Sequence, residues 1–303
     1  MDWHSTSKDV LEFLLTPSIP VIVIGLATVL LFPIFLHWLL SRSTAYITLP
    51  SVLIAGPPGA GKTALVTRLE RRSPKPADTY TSQTANVVEL AVNEDGTSSY
   101  TDDLDASGAV AKKFLAVDTP GHGKLRGATL ARLSHAASST AAAEKTKVKA
   151  VVYMVDGAAL SEDGGLAAAA SYLYDILLAL QKRMSSTPSS KAPPGIPVLV
   201  AANKADLFTA LPAALVRTQL EAELGRIRST RSKGLLSSNV GADDVDSTNE
   251  ADEWLGEYGS KTFQFSQMRE FDTEVDVIAG NVAGAEGAGP GVDKWWTWIA
   301  SKV

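Results

Sequence analysis

The chain has no cysteine in its 303 residues, which excludes a disulfide framework and any thiolate metal site and suits a folded part kept in the reducing cytosol. A basic excess is lacking too: 28 Lys and Arg stand against 33 Asp and Glu, a formal net charge of -5. Nucleic-acid binders carry a basic face or stripe, so no direct nucleic-acid binding is expected and any phosphate must be held locally. No internal repeat is evident. The length allows one domain of about 200 to 250 residues plus appendages, with a core large enough to need no staples.

Charge is missing altogether from Ile19 to Leu40, a run of 22 residues whose only polar members are Thr28 and His37. At about 1.5 Å per residue, a helix of this length crosses a hydrocarbon layer of about 30 Å. Trp38 and His37 lie near one end, where an amphipathic ring suits the interface. Pro20 falls in the first turn, where its missing N–H is harmless, and Pro33 is expected to kink the helix. A cleaved signal peptide would need a basic leader, whereas Asp2, Asp9 and Glu12 outnumber Lys8 here; a buried core helix is the other alternative. Arg42, Arg68, Arg71, Arg72 and Lys75 follow the run, so the positive-inside bias puts its C-terminal side in the cytosol.

A short apolar run, Ser51–Ala55, leads into Gly56-Pro57-Pro58-Gly59-Ala60-Gly61-Lys62-Thr63 and then Ala64. This is G-x-x-x-x-G-K-[ST] between a strand and a helix, the context a phosphate loop requires. Its backbone N–H groups and the helix N-terminus face the phosphates. Lys62 is expected on the β- and γ-phosphates and the Thr63 hydroxyl on Mg²⁺. Asp118-Thr119-Pro120-Gly121-His122 ends a second apolar run, Phe114–Val117, placing Asp118 to hold Mg²⁺ and the Gly121 N–H to meet a γ-phosphate.

The base is chosen by Asn203-Lys204-Ala205-Asp206 after the strand Pro197–Ala202. A carboxylate accepts the N1–H and 2-amino donors of guanine, a pair that adenine lacks. The last contact is assigned to Ala279 in Ile278-Ala279-Gly280, after the strand Glu274–Ile278, through a backbone N–H. Thr79, Thr81, Ser82 and Thr84 are all candidates for the hydroxyl that joins Mg²⁺ when a γ-phosphate is present.

Strands alternating with the helical stretches Leu125–Ala142, Gly165–Arg183 and Leu211–Arg228 predict an α/β fold: a mostly parallel sheet with helices on both faces. Met184–Pro194 and the acidic stretch Ser237–Glu253 read as surface loops. Trp295, Trp296, Trp298 and Ile299 are expected on the buried face of a last helix.

With these motifs in place, the chain resembles the beta subunits of eukaryotic signal recognition particle receptors, membrane-anchored small GTPases related to the Arf and Sar branch. Asn203-Lys204-Ala205-Asp206-Leu207-Phe208-Thr209-Ala210 and Lys261-Thr262-Phe263-Gln264-Phe265-Ser266-Gln267 carry the likeness beyond the nucleotide motifs. The resemblance implies a P-loop GTPase fold using GTP/GDP and Mg²⁺, divided as 1–18 short lumenal N-terminus, 19–40 transmembrane helix, 41–50 linker and 51–303 GTPase domain. It implies a GTP-dependent complex with the receptor's alpha subunit at the endoplasmic reticulum membrane, with the translocon and ribosome as further candidate partners. It also selects Thr81 as the switch threonine and puts His122 where the hydrolytic water is positioned. With no arginine finger assignable in cis, hydrolysis is expected to be slow. An Arf-like trafficking GTPase and a constitutive anchor with structural GTP are the competing readings.

Overall fold

The computed structural model describes residues 19–43, 49–72, 78–93, 111–135, 148–162, 164–185, 194–238, 254–283 and 290–303. The expected lumenal segment 1–18, half of the linker and most of the expected loops 184–194 and 237–253 lie outside these residues. The chain divides into two compact units, Met1–Ile47 and Thr48–Val303.

In the first unit, helix α1 (Ile19–Ser43) runs through the apolar stretch and three residues past its expected end, with Pro33 inside it. Side chains are described without a break only from 25 to 39, and among the described residues no helix is long and apolar enough to cross a membrane. Those that are described, including Ile22, Val23, Leu26, Leu30 and Phe32, are exposed.

Among the described residues the second unit carries six strands: β1 (Ser51–Ala55), β2 (Asn86–Asn93), β3 (Ala111–Asp118), β4 (Val148–Asp156), β5 (Val198–Asn203) and β6 (Val275–Ala279). They form one sheet in the order β2-β3-β1-β4-β5-β6, with β2 antiparallel to β3 and every other pair parallel. The described helices that accompany them are α2 (Lys62–Arg71), α3 (Arg126–His135), α4 (Gly165–Ser185), α5 (Ala213–Ser238) and α6 (Pro290–Lys302).

The period-two geometry of a strand divides the core in two. From β1, β4 and β5, the residues Leu53, Tyr153, Val155 and Val200 enter one cluster with Tyr172, Leu173 and Leu177 of α4 and Leu220 of α5. Their neighbours Val52, Ile54, Val152, Met154 and Leu199 enter the other, with Leu65 and Leu69 of α2 and the tryptophans of α6. Burial on both faces explains why these strands read as continuous apolar runs. Trp295, Trp296, Trp298 and Ile299 are buried, as their spacing requires.

This topology places the site. Parallel pairing sets Ile54 beside Asp118, Asp156 beside Asn203 and Ala202 beside Ala279. The carboxyl ends of β1, β3, β4, β5 and β6 therefore share one edge of the sheet, where ligands of open α/β folds bind.

Candidate nucleotide site

The loop after β1 needs its glycines. Gly56, Gly59 and Gly61 have φ of 142°, 77° and 93°, a region that side chains disfavour. A Cβ on Gly56 would fall on the Met154 carbonyl and one on Gly61 on the Asn203 amide. The chain turns around the Lys62 side chain, whose Nζ donates to the Gly56 and Pro57 carbonyls at 3.0 and 2.8 Å. Burial is the main cause that lowers this ammonium to about 8; the nearby Asp118 charge opposes the shift, and that of Arg126 adds to it. A desolvated cation held among loop backbone groups, with no anion hydrogen-bonded to it among the described residues, has the chemistry that suits phosphate.

A cavity of about 290 Å³ opens here, lined by loop residues from Pro58 to Ala64, by 79–82, and by Thr119 and Gly121. On its wall three oxygen-bearing side chains converge. The Thr63 hydroxyl donates to Asp118 Oδ2 at 2.7 Å, and Ser82 Oγ lies 2.9 Å from Thr63 Oγ1 and 3.4 Å from Asp118 Oδ2. Burial raises the Asp118 carboxyl above its ordinary value, against the hydrogen bonds from Thr63 and Ser82 and the Lys62 charge. Its other oxygen, Oδ1, is buried with no hydrogen-bond partner. Two hydroxyls and one under-coordinated carboxylate are hard donors that suit Mg²⁺ retaining waters. Among the described residues no three His, Cys, Asp or Glu gather as a softer-metal site.

Ser82, and not the expected Thr81, joins this cluster. Thr81 lines the cavity beside it without a hydrogen bond to Thr63 or Asp118, because successive side chains of an extended loop point in opposite directions. Gly121 is buried and packed so tightly that a Cβ would stand 2.7 Å from Lys62 Nζ, Pro57 C and Pro58 N. His122 is exposed; its Nδ1 accepts the Lys124 N–H at 3.3 Å across the 3-10 turn Gly123–Leu125. It is not among the residues lining the cavity.

Asn203, 4% exposed at the end of β5, joins the motifs. Its Nδ2 donates to the Ala60 carbonyl at 2.9 Å and its Oδ1 accepts the Val282 N–H at 3.0 Å. The phosphate loop and the loop after β6 thus hang on one amide. Lys204 takes a left-handed backbone with φ of 63°, and its ammonium pairs with Asp156, a residue no motif flagged. Asp156 is fixed in turn by accepting the Ala158 and Ala159 N–H groups at 3.0 and 3.3 Å. Asp206 is exposed and free of hydrogen bonds among the described residues, so its carboxylate is available. Ala279 ends β6; the following Gly280 donates to Ala202 O and accepts from Ala205 N at 2.8 and 3.0 Å. Ala279 also lines an open groove with Trp298 of α6, apart from the phosphate cavity.

Comparison with known proteins places this arrangement. The profile of the signal recognition particle receptor beta subunit family matches residues 48–271. The mouse signal recognition particle receptor subunit beta is 30% identical over 252 residues, covering 83% of this chain and 76% of the mouse protein. The Saccharomyces cerevisiae protein of the same name is 32% identical over 186 residues, and the match spans 61% of each chain. Among solved structures, the signal recognition particle receptor SRb-GTP/SRX complex from Chaetomium thermophilum is similar with a TM-score of 0.67 and 45% identity, covering 84% of this chain and 100% of that one. The SRb-GDP-Mg structure from the same organism gives 0.60 and 47%, covering 86% and 100%.

Proposed function

Since this chain belongs to the signal recognition particle receptor beta subunit family, we propose that it is a guanine-nucleotide switch on the endoplasmic reticulum membrane that binds the receptor's alpha subunit when loaded with GTP and supports co-translational targeting. The observation that carries this reading is the double hydrogen bond of Asn203, which makes the phosphate cradle and the base-reading loops one rigid unit. Asp206 beside it selects guanine, because adenine would leave the carboxylate unpaired. Chaetomium thermophilum relatives solved with GTP, with GDP and with GDP and Mg support the same ligands here.

Thr63 and Ser82 would hold Mg²⁺ with Asp118 behind them, and the ion would supply positive charge against the β- and γ-phosphates. Lys62 holds those phosphates, and Gly121 brings its N–H to the cavity edge. The switch hydroxyl is accordingly assigned to Ser82. Hydrolysis is slow on this reading, since His122 is not part of the cavity lining and its Nδ1 is occupied by the Lys124 N–H.

The α1 helix is the proposed anchor, with the second unit cytosolic. Its exposed apolar side chains are unfavourable in water and favourable in hydrocarbon, and the charge-free run from which it is built is long enough to span.

A pull-down with the alpha subunit's N-terminal domain tests the switch. The GTPγS-loaded protein is expected to retain the domain, while the GDP-loaded and nucleotide-free forms do not. Equal retention in all three states would replace the switch with a constitutive anchor. Ser82→Ala should lose GTP-dependent retention and Thr81→Ala keep it; the opposite result returns the metal to Thr81.

A further inference from the structure

Beneath the Thr119–Leu125 turn lies a group that no nucleotide motif uses. Arg126 begins α3 and stacks its guanidinium over the Tyr172 ring of α4, 4.3 Å from the ring centre. Tyr172 is fully buried and held edge-on by Tyr153, 5.7 Å away between ring centres. Tyr153 is pinned by donating its hydroxyl to the Ala169 carbonyl at 2.6 Å. The Tyr172 hydroxyl faces the Thr129 and Thr119 hydroxyls, although no bond of good geometry forms. One rigid ring thus touches the residue after Asp118, the first residue of α3 and a residue one turn further on.

The tie on Arg126 is deliberately weak in chemical kind. Its Nε is buried without a hydrogen-bond partner, and no ion pair involves it among the described residues. Asp175, one turn along α4 from Tyr172, pairs instead with Arg231 at 2.9 Å. A stacked cation with no ion pair among the described residues holds a position by one weak contact and so releases it at small cost. The segment it tethers carries Gly121, already in close contact with Pro57 and Lys62.

We propose that the Arg126–Tyr172 stack is a positioning latch that keeps the Thr119–Leu125 turn docked at the phosphate cavity, and so sets how strongly the protein prefers a nucleoside triphosphate over a diphosphate. The proposal rests on the guanine-nucleotide reading above. On that reading the Gly121 N–H of the docked turn meets the third phosphate, so loosening the turn penalises the triphosphate more than the diphosphate.

The test uses the full chain in detergent with Mg²⁺, measuring GTPγS and GDP affinities and melting temperature for wild type, Arg126→Met, Arg126→Lys, Tyr172→Phe and Tyr172→Leu. Arg126→Met and Tyr172→Leu should lower the GTPγS-to-GDP affinity ratio about three- to tenfold, the scale of one cation–π contact. Arg126→Lys should recover part of it, and Tyr172→Phe, which keeps the ring, should match wild type. An unchanged ratio in Arg126→Met, or equal weakening of both nucleotides together with a lower melting temperature, would overturn the latch while leaving the nucleotide reading intact. A wild type that binds neither nucleotide overturns both.

Discussion

Replacing Asn203 with alanine removes two hydrogen bonds at once, and both partners it abandons are backbone groups that cannot turn away. The Ala60 carbonyl loses its donor at 2.9 Å, and the Val282 N–H loses its acceptor at 3.0 Å. With the amide 4% exposed, bulk water does not reach the gap. Each unpaired buried group costs about 1–3 kcal/mol, so the pair costs about 2–6 kcal/mol. For a domain of this size, about 2–4 °C of melting temperature accompanies each kcal/mol, which predicts a fall of about 4–24 °C. Differential scanning calorimetry of the nucleotide-free protein measures it directly. Asn203→Asp separates the two bonds: it keeps an acceptor for Val282 but turns an oxygen onto the Ala60 carbonyl, so it too should destabilise. A melting point for Asn203→Ala within about 2 °C of wild type would refute the claim that this amide joins the two loops.

Asp206→Asn should transfer preference from guanine to xanthine nucleotides; two charged hydrogen bonds are at stake, so GDP should weaken roughly a hundredfold or more, and unchanged GDP affinity by calorimetry removes the base assignment. Burial lowers the Lys62 ammonium to about 8, below its value in the unfolded chain, so its protonated form penalises the folded state below that pH. The penalty fades as pH rises toward 10.5. Phosphate restores the cation, hence nucleotide binding at pH 8 should take up about half a proton; identical binding heats in Tris and phosphate buffers would contradict this. Deleting residues 1–47, the first compact unit, should leave a water-soluble protein with full-chain GDP affinity, and a folded truncation that cannot bind GDP would end the idea of an autonomous nucleotide domain.

Much of the site was legible because its chemistry is local in the chain. A glycine-rich turn followed by Lys62-Thr63, a carboxylate closing β3 and Asn203 closing β5 each declare themselves within a few residues. The buried strands were legible for a related reason, since β1, β4 and β5 have apolar side chains toward both layers. The edge strand β2 was not anticipated. Its residues alternate between water and core, with Val87 exposed and Val88 buried, and small or polar members dilute that pattern. The choice between Thr81 and Ser82 was equally invisible, because adjacent hydroxyls differ only in which way the loop backbone turns them. The same holds for His122, whose direction is fixed by the 3-10 turn after it, and for Asp156 and Arg126, whose partners lie 48 and 46 positions away in sequence. Helix α5 also runs to Ser238, ten residues beyond its expected end at Arg228.

The position of β1 inside the sheet has a consequence for how stiffness is distributed around the ligand. The phosphate loop springs from a strand paired on both sides, every residue of which is buried, while Ser82 stands just ahead of β2, paired on one side only. Local opening begins where hydrogen bonds are solvent-facing and burial is thin. On the proposed reading, the loop beneath the phosphates is therefore expected to hold slower-exchanging amides than the segment that carries Ser82, so a bound nucleotide would bridge a fixed wall and a fraying one. Occupancy would be written almost entirely in the protection of the edge, with the centre as its silent reference.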